Sequence, residues 1–395
     1  MTSGTTWSRR TFLSTSGLVS ASTLLPSLLR AQLMGASEVA RSYLACTVSR
    51  SSPPDASPWQ IRAYAVRGSS SHMLASMSCP DAIGAIAIHP QRNVVYVAHD
   101  TEEYLGLPRA SVSSFVVDEP GGGFMQLSRE ALTLSATRPR HLAISPDGKL
   151  LLVAATGGGA YNALHLAPDG SILPHKRAIK LVGCGPHPLQ SSARPLYSRF
   201  ARSSDAAYAC DFGSDRIDQL RFANGVPSIE SRVGLEPGTG PCHLAIHPSQ
   251  RLLAVVGYLR PTVTMIAIDL RSGRLGTIAQ LLVVDAASLV HASFCASGTK
   301  LSVAGITDAG EQAIFTFQVD RSSLTARQTA MECVAAASLP EASGWEDRIG
   351  FPLSVHNIAA WQPHQQALRN PAEMLSGFGP SQHEPVLAAI AVRFL

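Results

Sequence analysis

Several side chains in this sequence have the types and neighbours that chemistry at neutral pH would need. Asp100 ends an apolar run and directly follows His99, so a carboxylate and an imidazole stand together as candidate general bases. Arg140-His141 opens another apolar run, and a guanidinium there could hold a carboxylate or a phosphate. His243 and His247 lie four residues apart, which puts both on one face of a strand. A metal pair there lacks an evident third ligand, so the expectation is a channel-facing His243 and a His247 bound in its own turn beside Pro248. Asp211, Asp215 and Arg216 fit a local turn network better than a site. No G-x-S-x-G occurs, which argues against an ordinary serine esterase. Neither metal nor cofactor is expected.

The elements that must position these groups are repeated hairpins. The stretch from Gly238 to Leu259, GTGPCHLAIHPSQRLLAVVGYL, reads as a turn, a short apolar strand, a polar turn and a second apolar strand. Related copies begin at Ile83 (IGAIAIHPQRNVVYVAHD), Arg140 (RHLAISPDGKLLLVAAT) and Leu289 (LVHASFCASGTKLSVAGI), with a worn copy at Pro195 (PLYSRFARSSDAAYACDFG). Pro90 and Pro146 hold the same place in their turns, 56 residues apart, so the unit is about 50 residues and all β, the size of a propeller blade. The spacing predicts an all-β chain, a seven-bladed β-propeller of four-stranded blades forming one domain over residues 40–395. Six blades with an extension, and a solenoid of hairpins, are the alternatives. SVSSFVVD (Ser111 to Asp118) reads as an outer strand, and Glu119 to Gly123 as the turn into the next blade. Gly157-Gly158-Gly159 reads as a strand-to-strand turn. The apolar segment Glu384 to Leu395 is expected to complete the blade that the N-terminal strand shares, and Gln362 to His383 reads as loop.

Residues 1–31 carry Ser8-Arg9-Arg10-Thr11-Phe12-Leu13, a twin-arginine export pattern, followed by a moderately apolar run rich in serine and threonine. The expectation is a cleaved leader handled by the twin-arginine machinery, a periplasmic or secreted product, and no stable membrane anchor. Formal net charge is +4, and Arg9, Arg10 and Arg30 fall in the leader without an acid, leaving about +1. So weak a charge argues against a nucleic-acid partner. A monomer is expected. The seven cysteines are widely spaced and include no C-x-x-C, which excludes zinc-ribbon and thioredoxin-like chemistry. Cys46, Cys210, Cys242 and Cys295 sit in apolar patterns and read as small buried hydrophobes, with a disulfide left open.

The ordered set SVSSFVVD, RHLAISPDGKLLLVA, the DFGSDRI segment from Asp211, and GPCHLAIHP resembles the lactonase family of seven-bladed β-propellers. That family includes bacterial 6-phosphogluconolactonases and fungal carboxymuconate-lactonizing enzymes. The resemblance implies opening or closing of a sugar or muconate lactone, without metal, at one mouth of the central channel. It also implies positions for the work, and most are replaced here. The Arg of a GPRH turn is Cys242. The Glu of an NEL triplet falls in Gly257-Tyr258-Leu259, and the Arg of an SNR triplet in Ala304-Gly305-Ile306. An HPH motif matches Arg194-Pro195-Leu196, and an upstream Arg-Gln pair is Leu189-Gln190. A lactone site needs a group to hold an anion and a base near the carbonyl, and Cys, Ile or Leu supplies neither.

The candidates for catalysis are therefore Asp100, His243 and Tyr258, and those for ligand binding are Arg140, His141 and Gln190. Two function classes follow. One is an exported lactonase acting on a sugar lactone or related ester, with its catalytic groups rebuilt on other channel residues. The other is a propeller without turnover that binds a sugar acid or a partner at its mouth. A quinone-dependent sugar dehydrogenase is a distant third, since the docking tryptophans and calcium-binding acids it needs are missing.

Overall fold

A computed structural model describes residues 42–50, 59–67, 70–118, 123–269, 271, 274–320, 325–334 and 389–394. Among these residues the strands form six four-stranded antiparallel sheets, each strand but the last pairing with a neighbour in sequence. The first sheet contains β1 (Ser42–Arg50), β2 (Trp59–Arg67) and β3 (Ser70–Cys79), and the second β4 (Ile83–Ile88), β5 (Val94–His99), β6 (Ser111–Asp118) and β7 (Gly123–Ala131). The third holds β8 (Thr137–Ile144), β9 (Leu150–Gly157), β10 (Ala160–Leu166) and β11 (Ile172–Lys180). The fourth holds β12 (Pro195–Phe200), β13 (Ala206–Asp211), β14 (Arg216–Ala223) and β15 (Val226–Gly234). The fifth holds β16 (Pro241–Ile246), β17 (Leu252–Gly257), β18 (Thr262–Ile268) and β19 (Leu275–Leu282). The sixth holds β20 (Ala286–Phe294), β21 (Lys300–Thr307), β22 (Gln312–Asp320) and β23 (Thr325–Val334). β24 (Ala389–Phe394) returns to pair antiparallel with β1 and completes the first sheet, as the apolar C-terminal segment leads one to expect.

The sheets pack face to face as propeller blades, with β24, β4, β8, β12, β16 and β20 as successive inner strands. The two inner strands of a blade are covered on both faces by neighbouring blades, so their apolar runs are mostly continuous rather than alternating. All six residues of β5 and of β17 are buried, whereas β11 and β15 lie mostly open to solvent. The expected leader and the loop-like stretch from Gln362 to His383 lie outside the described residues.

Two sequence expectations are corrected. β6 is the third strand of its blade and not the outermost, because Asp118 pairs with Gly123 and β7 returns outside it. β6 and β7 therefore belong to one blade, and the expected turn from Glu119 falls mostly outside the described residues. β7 (GFMQLSREA) has one face open to solvent, so it lacks the apolar signature that the inner strands share. Cys295 is the second: it lies half-exposed in the β20–β21 turn, where Ser297, Thr299 and the Lys300 amide surround its sulfur. Burial alone would raise its thiol pKa, but these hydrogen bonds bring it below the ordinary value. Cys46, Cys210 and Cys242 are buried as expected, and all seven cysteines are free thiols. Gly157 to Gly159 make the β9–β10 turn, with Gly158 and Gly159 at positive φ.

A histidine latch joins blades at the end of the molecule where the inner strands finish. His247 Nδ1 accepts the Ser249 amide at 3.1 Å, and its Nε2–H donates to the Gly298 carbonyl of the next blade at 3.0 Å. His89 does the same with the Gln91 amide and the Gly148 carbonyl, both at 3.1 Å. Gly298 has φ +73°, and a Cβ there would lie 2.1 Å from His247 Nε2. Gly298→Ala is therefore expected to destabilise the protein by about 3 kcal/mol, from left-handed strain plus displacement of the latch. Gly234→Ala, where a Cβ meets nothing within 4 Å, is the control and should change stability by less than about 0.5 kcal/mol in the same urea titration.

Candidate active site at the channel mouth

Five of the six inner strands, β4, β8, β12, β16 and β20, carry a bulge at the same place. Register slips between Ile83 and Ala85, Pro139 and His141, Pro195 and Tyr197, Pro241 and His243, and Leu289 and His291. The skipped residues are Gly84, Arg140, Leu196, Cys242 and Val290. A bulge re-aims the side chain it carries. Arg140 thus occupies in the third sheet the position that Cys242 occupies in the fifth. The arginine that the family resemblance expects at Cys242 has a counterpart two blades away.

In the third to sixth sheets the residues after the bulges form a column of rings. His141, Tyr197, His243 and His291 stack in turn, with centroids 4.2, 4.1 and 4.2 Å apart and planes tilted by 42–44°. His141 Nδ1 accepts the Ser198 amide at 3.4 Å, and His243 Nδ1 accepts the Ala292 amide at 3.2 Å. His243 has no exposed surface, so it braces the blades from within the column instead of facing an open channel. His243 and His247 do share a strand face, since both bond to the sixth sheet. The column was visible in the sequence only by aligning the hairpin copies, which put His, Tyr, His and His in one place.

At the mouth, Arg140 Nη1 donates to Asp100 Oδ2 at 2.5 Å across the second and third sheets, with the two side chains 10% and 16% exposed. The fold thus brings together two residues that the sequence offers separately, one as a base and one as an anion holder. Gly84 permits this approach, because a Cβ there would collide with the Pro139 carbonyl and touch the Asp100 Cβ. Two further pairs line the same end, Arg138 with Glu102 and Arg260 with Glu236.

Gln190 and Tyr258 lie deeper. Gln190 is wholly buried; its Nε2 donates to the Phe212 carbonyl at 2.8 Å and to Asp215 Oδ1 at 2.7 Å, and its Oε1 accepts the His187 amide at 3.2 Å. Asp215 also accepts the Gly240 amide at 2.7 Å and the Gly238 amide at 2.8 Å. Asp211 accepts the Arg194 amide at 2.6 Å and the Gly213 amide at 3.1 Å, and Ser214 donates to its other oxygen. Burial holds the Asp211 carboxyl above its ordinary range despite these bonds. The two acids are turn braces, as the sequence suggests, while Arg216 donates to the Val182 carbonyl instead of joining them. Tyr258 packs near Phe212, centroids 6.4 Å apart, and is 8% exposed.

His99 points away from Asp100. Its Nε2 meets Ser113 Oγ at 2.8 Å and its Nδ1 faces Asp81 Oδ2 at 3.4 Å, with Cys79 Sγ 3.9 Å away and Arg129 on Asp81 at 2.7 Å. The order Ser, His, Asp is that of a hydrolase triad, but Ser113 is 1% exposed and His99 2%, so no substrate reaches them. Burial first, and Arg129 second, push His99 down to about 4, against the pull of Asp81. A base with a depressed folded pKa binds fewer protons folded than unfolded, so stability is full above about 6.5 and is lost as pH falls toward 4. The urea midpoint is expected to drop across that window, and His99→Gln should flatten the drop while lowering stability at pH 7.

Among the described residues, no group of three or more His, Cys, Asp or Glu is arranged to hold a metal ion. No helix among them is long and apolar enough to cross a membrane.

Comparison with known proteins adds to this geometry. The family described as "Lactonase, 7-bladed beta-propeller" matches residues 60–332. A 6-phosphogluconolactonase of Bacillus subtilis (strain 168) is 23% identical over 148 residues, 38% of this chain and 42% of that protein. A 6-phosphogluconolactonase of Pectobacterium carotovorum is 24% identical over 212 residues, 53% of this chain and 58% of that protein. The chain thus spans about half the length of these curated relatives. A solved periplasmic gluconolactonase of Pseudomonas aeruginosa superposes with TM-score 0.60 at 22% identity, covering 75% of this chain and 85% of that one.

Proposed function

Because the chain belongs to the lactonase family of seven-bladed β-propellers, we propose that it is an exported hydrolase of sugar lactones working at the channel mouth around Asp100 and Arg140. The observation that carries this reading is the pair itself: a carboxylate and a bulge-aimed guanidinium 2.5 Å apart between two blades, each keeping some exposure. In the proposed reaction Arg140 polarises the lactone carbonyl, and Asp100 takes a proton from the attacking water. The water oxygen bonds to the carbonyl carbon, the ring C–O bond breaks, and the ring oxygen takes that proton back from Asp100 and leaves as a hydroxyl. The product is a hydroxy acid, which ionises and releases a proton. The ring column behind Arg140 fixes the inner strands and with them the pair's spacing. His141 and His243 serve as positioning residues in this reading. The twin-arginine pattern from Ser8 to Leu13 supports delivery to the periplasm or beyond. The names of the relatives support a gluconic-type ring as substrate.

The test is proton release from δ-gluconolactone, 6-phosphogluconolactone and galactonolactone, each against a protein-free control because these esters open in water unaided. Turnover well above the control on at least one lactone is expected. Rates equal to the control on all three would overturn the hydrolase reading in favour of a binding propeller.

A further inference from the structure

We propose that Arg194 anchors an anionic group of the mouth's ligand, the carboxylate or phosphate of a sugar acid; this deepens the lactone-site reading and rests on it for the kind of ligand. Several arginines stand at this end of the blades, among them Arg138, Arg140, Arg194 and Arg260. Arg138, Arg140 and Arg260 each meet a carboxylate. Arg194 meets none among the described residues, although its side chain is half-buried. A half-buried cation without a counter-ion is costly unless something else neutralises it. The neighbouring charge that acts on Arg194 is another cation, Arg138, and burial together with that repulsion draws its guanidinium below the ordinary value.

The backbone under Arg194 is held firmly. Its N–H donates to Asp211 at 2.6 Å, and its C=O accepts the Phe212 amide at 3.0 Å. Gly213 lies so close that a Cβ there would be 2.7 Å from the Arg194 nitrogen and 1.9 Å from the Ser192 oxygen. Arg194 immediately precedes β12, on the blade next to the one that carries Arg140. The arrangement is a guanidinium on a firmly held backbone, without a counter-ion among the described residues, on the blade next to the proposed reaction centre and close enough to Arg138 to be repelled by it. A guanidinium presents paired N–H donors that match a carboxylate or a phosphate two bonds at a time. An oxyanion bound there also separates Arg194 from Arg138 electrostatically.

Calorimetry and thermal shift on the purified chain with gluconate, 6-phosphogluconate and inorganic phosphate, with methyl glucoside as the neutral control, test this directly. The anions should bind and raise the melting temperature, and methyl glucoside should not. Arg194→Gln should weaken anion binding at least tenfold, and Arg194→Lys should fall between. Arg194→Gln keeps the amide that Asp211 holds, and it removes the repulsion with Arg138, so its ligand-free melting temperature should stay level or rise. A merely structural arginine would give the opposite result on both readouts. Arg177→Gln, an exposed site on β11, should change nothing. Binding of 6-phosphogluconate and phosphate without gluconate identifies a phosphate as the anchored group; binding of gluconate as well identifies the carboxylate. No anion binding, or equal affinity in wild type and Arg194→Gln, overturns the proposal. The readout needs no turnover. A chain that binds gluconate through Arg194 and opens no lactone defeats only the hydrolase reading, and one that turns over lactones with unaltered KM in Arg194→Gln defeats only this one.

Discussion

Asp100→Asn is expected to lower lactone turnover by at least about a hundredfold, the scale at which a positioned general base acts. The asparagine oxygen can still accept from Arg140, so the contact across the two sheets survives while the basic group is gone. The loss should therefore fall on kcat, with KM little changed. Arg140→Gln should behave differently. It leaves Asp100, 16% exposed, without its counter-ion, and should cost about 2 kcal/mol of stability in addition to activity. That figure is set below the range for fully buried pairs because solvent reaches both groups. Initial rates of proton release, read beside urea unfolding, separate the two effects. An Asp100→Asn enzyme that keeps more than a tenth of wild-type kcat would remove Asp100 from the proposed role.

Asp215→Ala is expected to be the most destabilising single change outside the apolar core, at about 4 kcal/mol. Its carboxylate satisfies Gln190 Nε2 and the Gly238 and Gly240 amides, and the residue is 5% exposed. Truncation leaves three donors short of an acceptor in a buried turn. Alanine at φ 53° adds left-handed strain that aspartate tolerates better. Asp215→Asn keeps one acceptor oxygen and the local turn preference, so it should lose only about half as much. Urea denaturation with an unchanged m-value is the measurement. A loss under about 1 kcal/mol for Asp215→Ala would mean that the brace between the Gln190 loop and the start of the fifth sheet carries little of the stability.

The inner strands were legible in the sequence because both of their faces are covered, which keeps IGAIAI, LLLVAAT and LLAVVG apolar from end to end. The outer strands were not. β3 (SSHMLASMSC) and β15 (VPSIESRVG) spend one face on solvent, so their composition resembles that of loops. The same exposure made the turn between β6 and β7 look like a passage between blades. At the site, Asp100 and Arg140 could be picked out one at a time by residue type. Their pairing could not, since they lie on different sheets and only the bulge at Arg140 aims one at the other. Arg194 was visible in the sequence only as a replacement for a family histidine. That it meets no carboxylate among the described residues is a property of its surroundings, which no local pattern encodes. The ring column needed the hairpin copies to be aligned position by position, and His243 considered with His247 alone conceals it.

The pairing of β24 with β1 has a consequence for biosynthesis. Val48 finds its partner in Ala389, so the first sheet stays one strand short until translation has passed almost everything that lies between. During that interval the inner edge of β1 is an open row of amides and carbonyls, the kind of edge that recruits strands from other chains. Contacts so distant along the chain also form slowly. Closure of the first blade is therefore a late, whole-chain event. The proposed twin-arginine route, which carries domains already folded, would fit that order of events, since a threaded chain would have to repeat the slow closure after crossing.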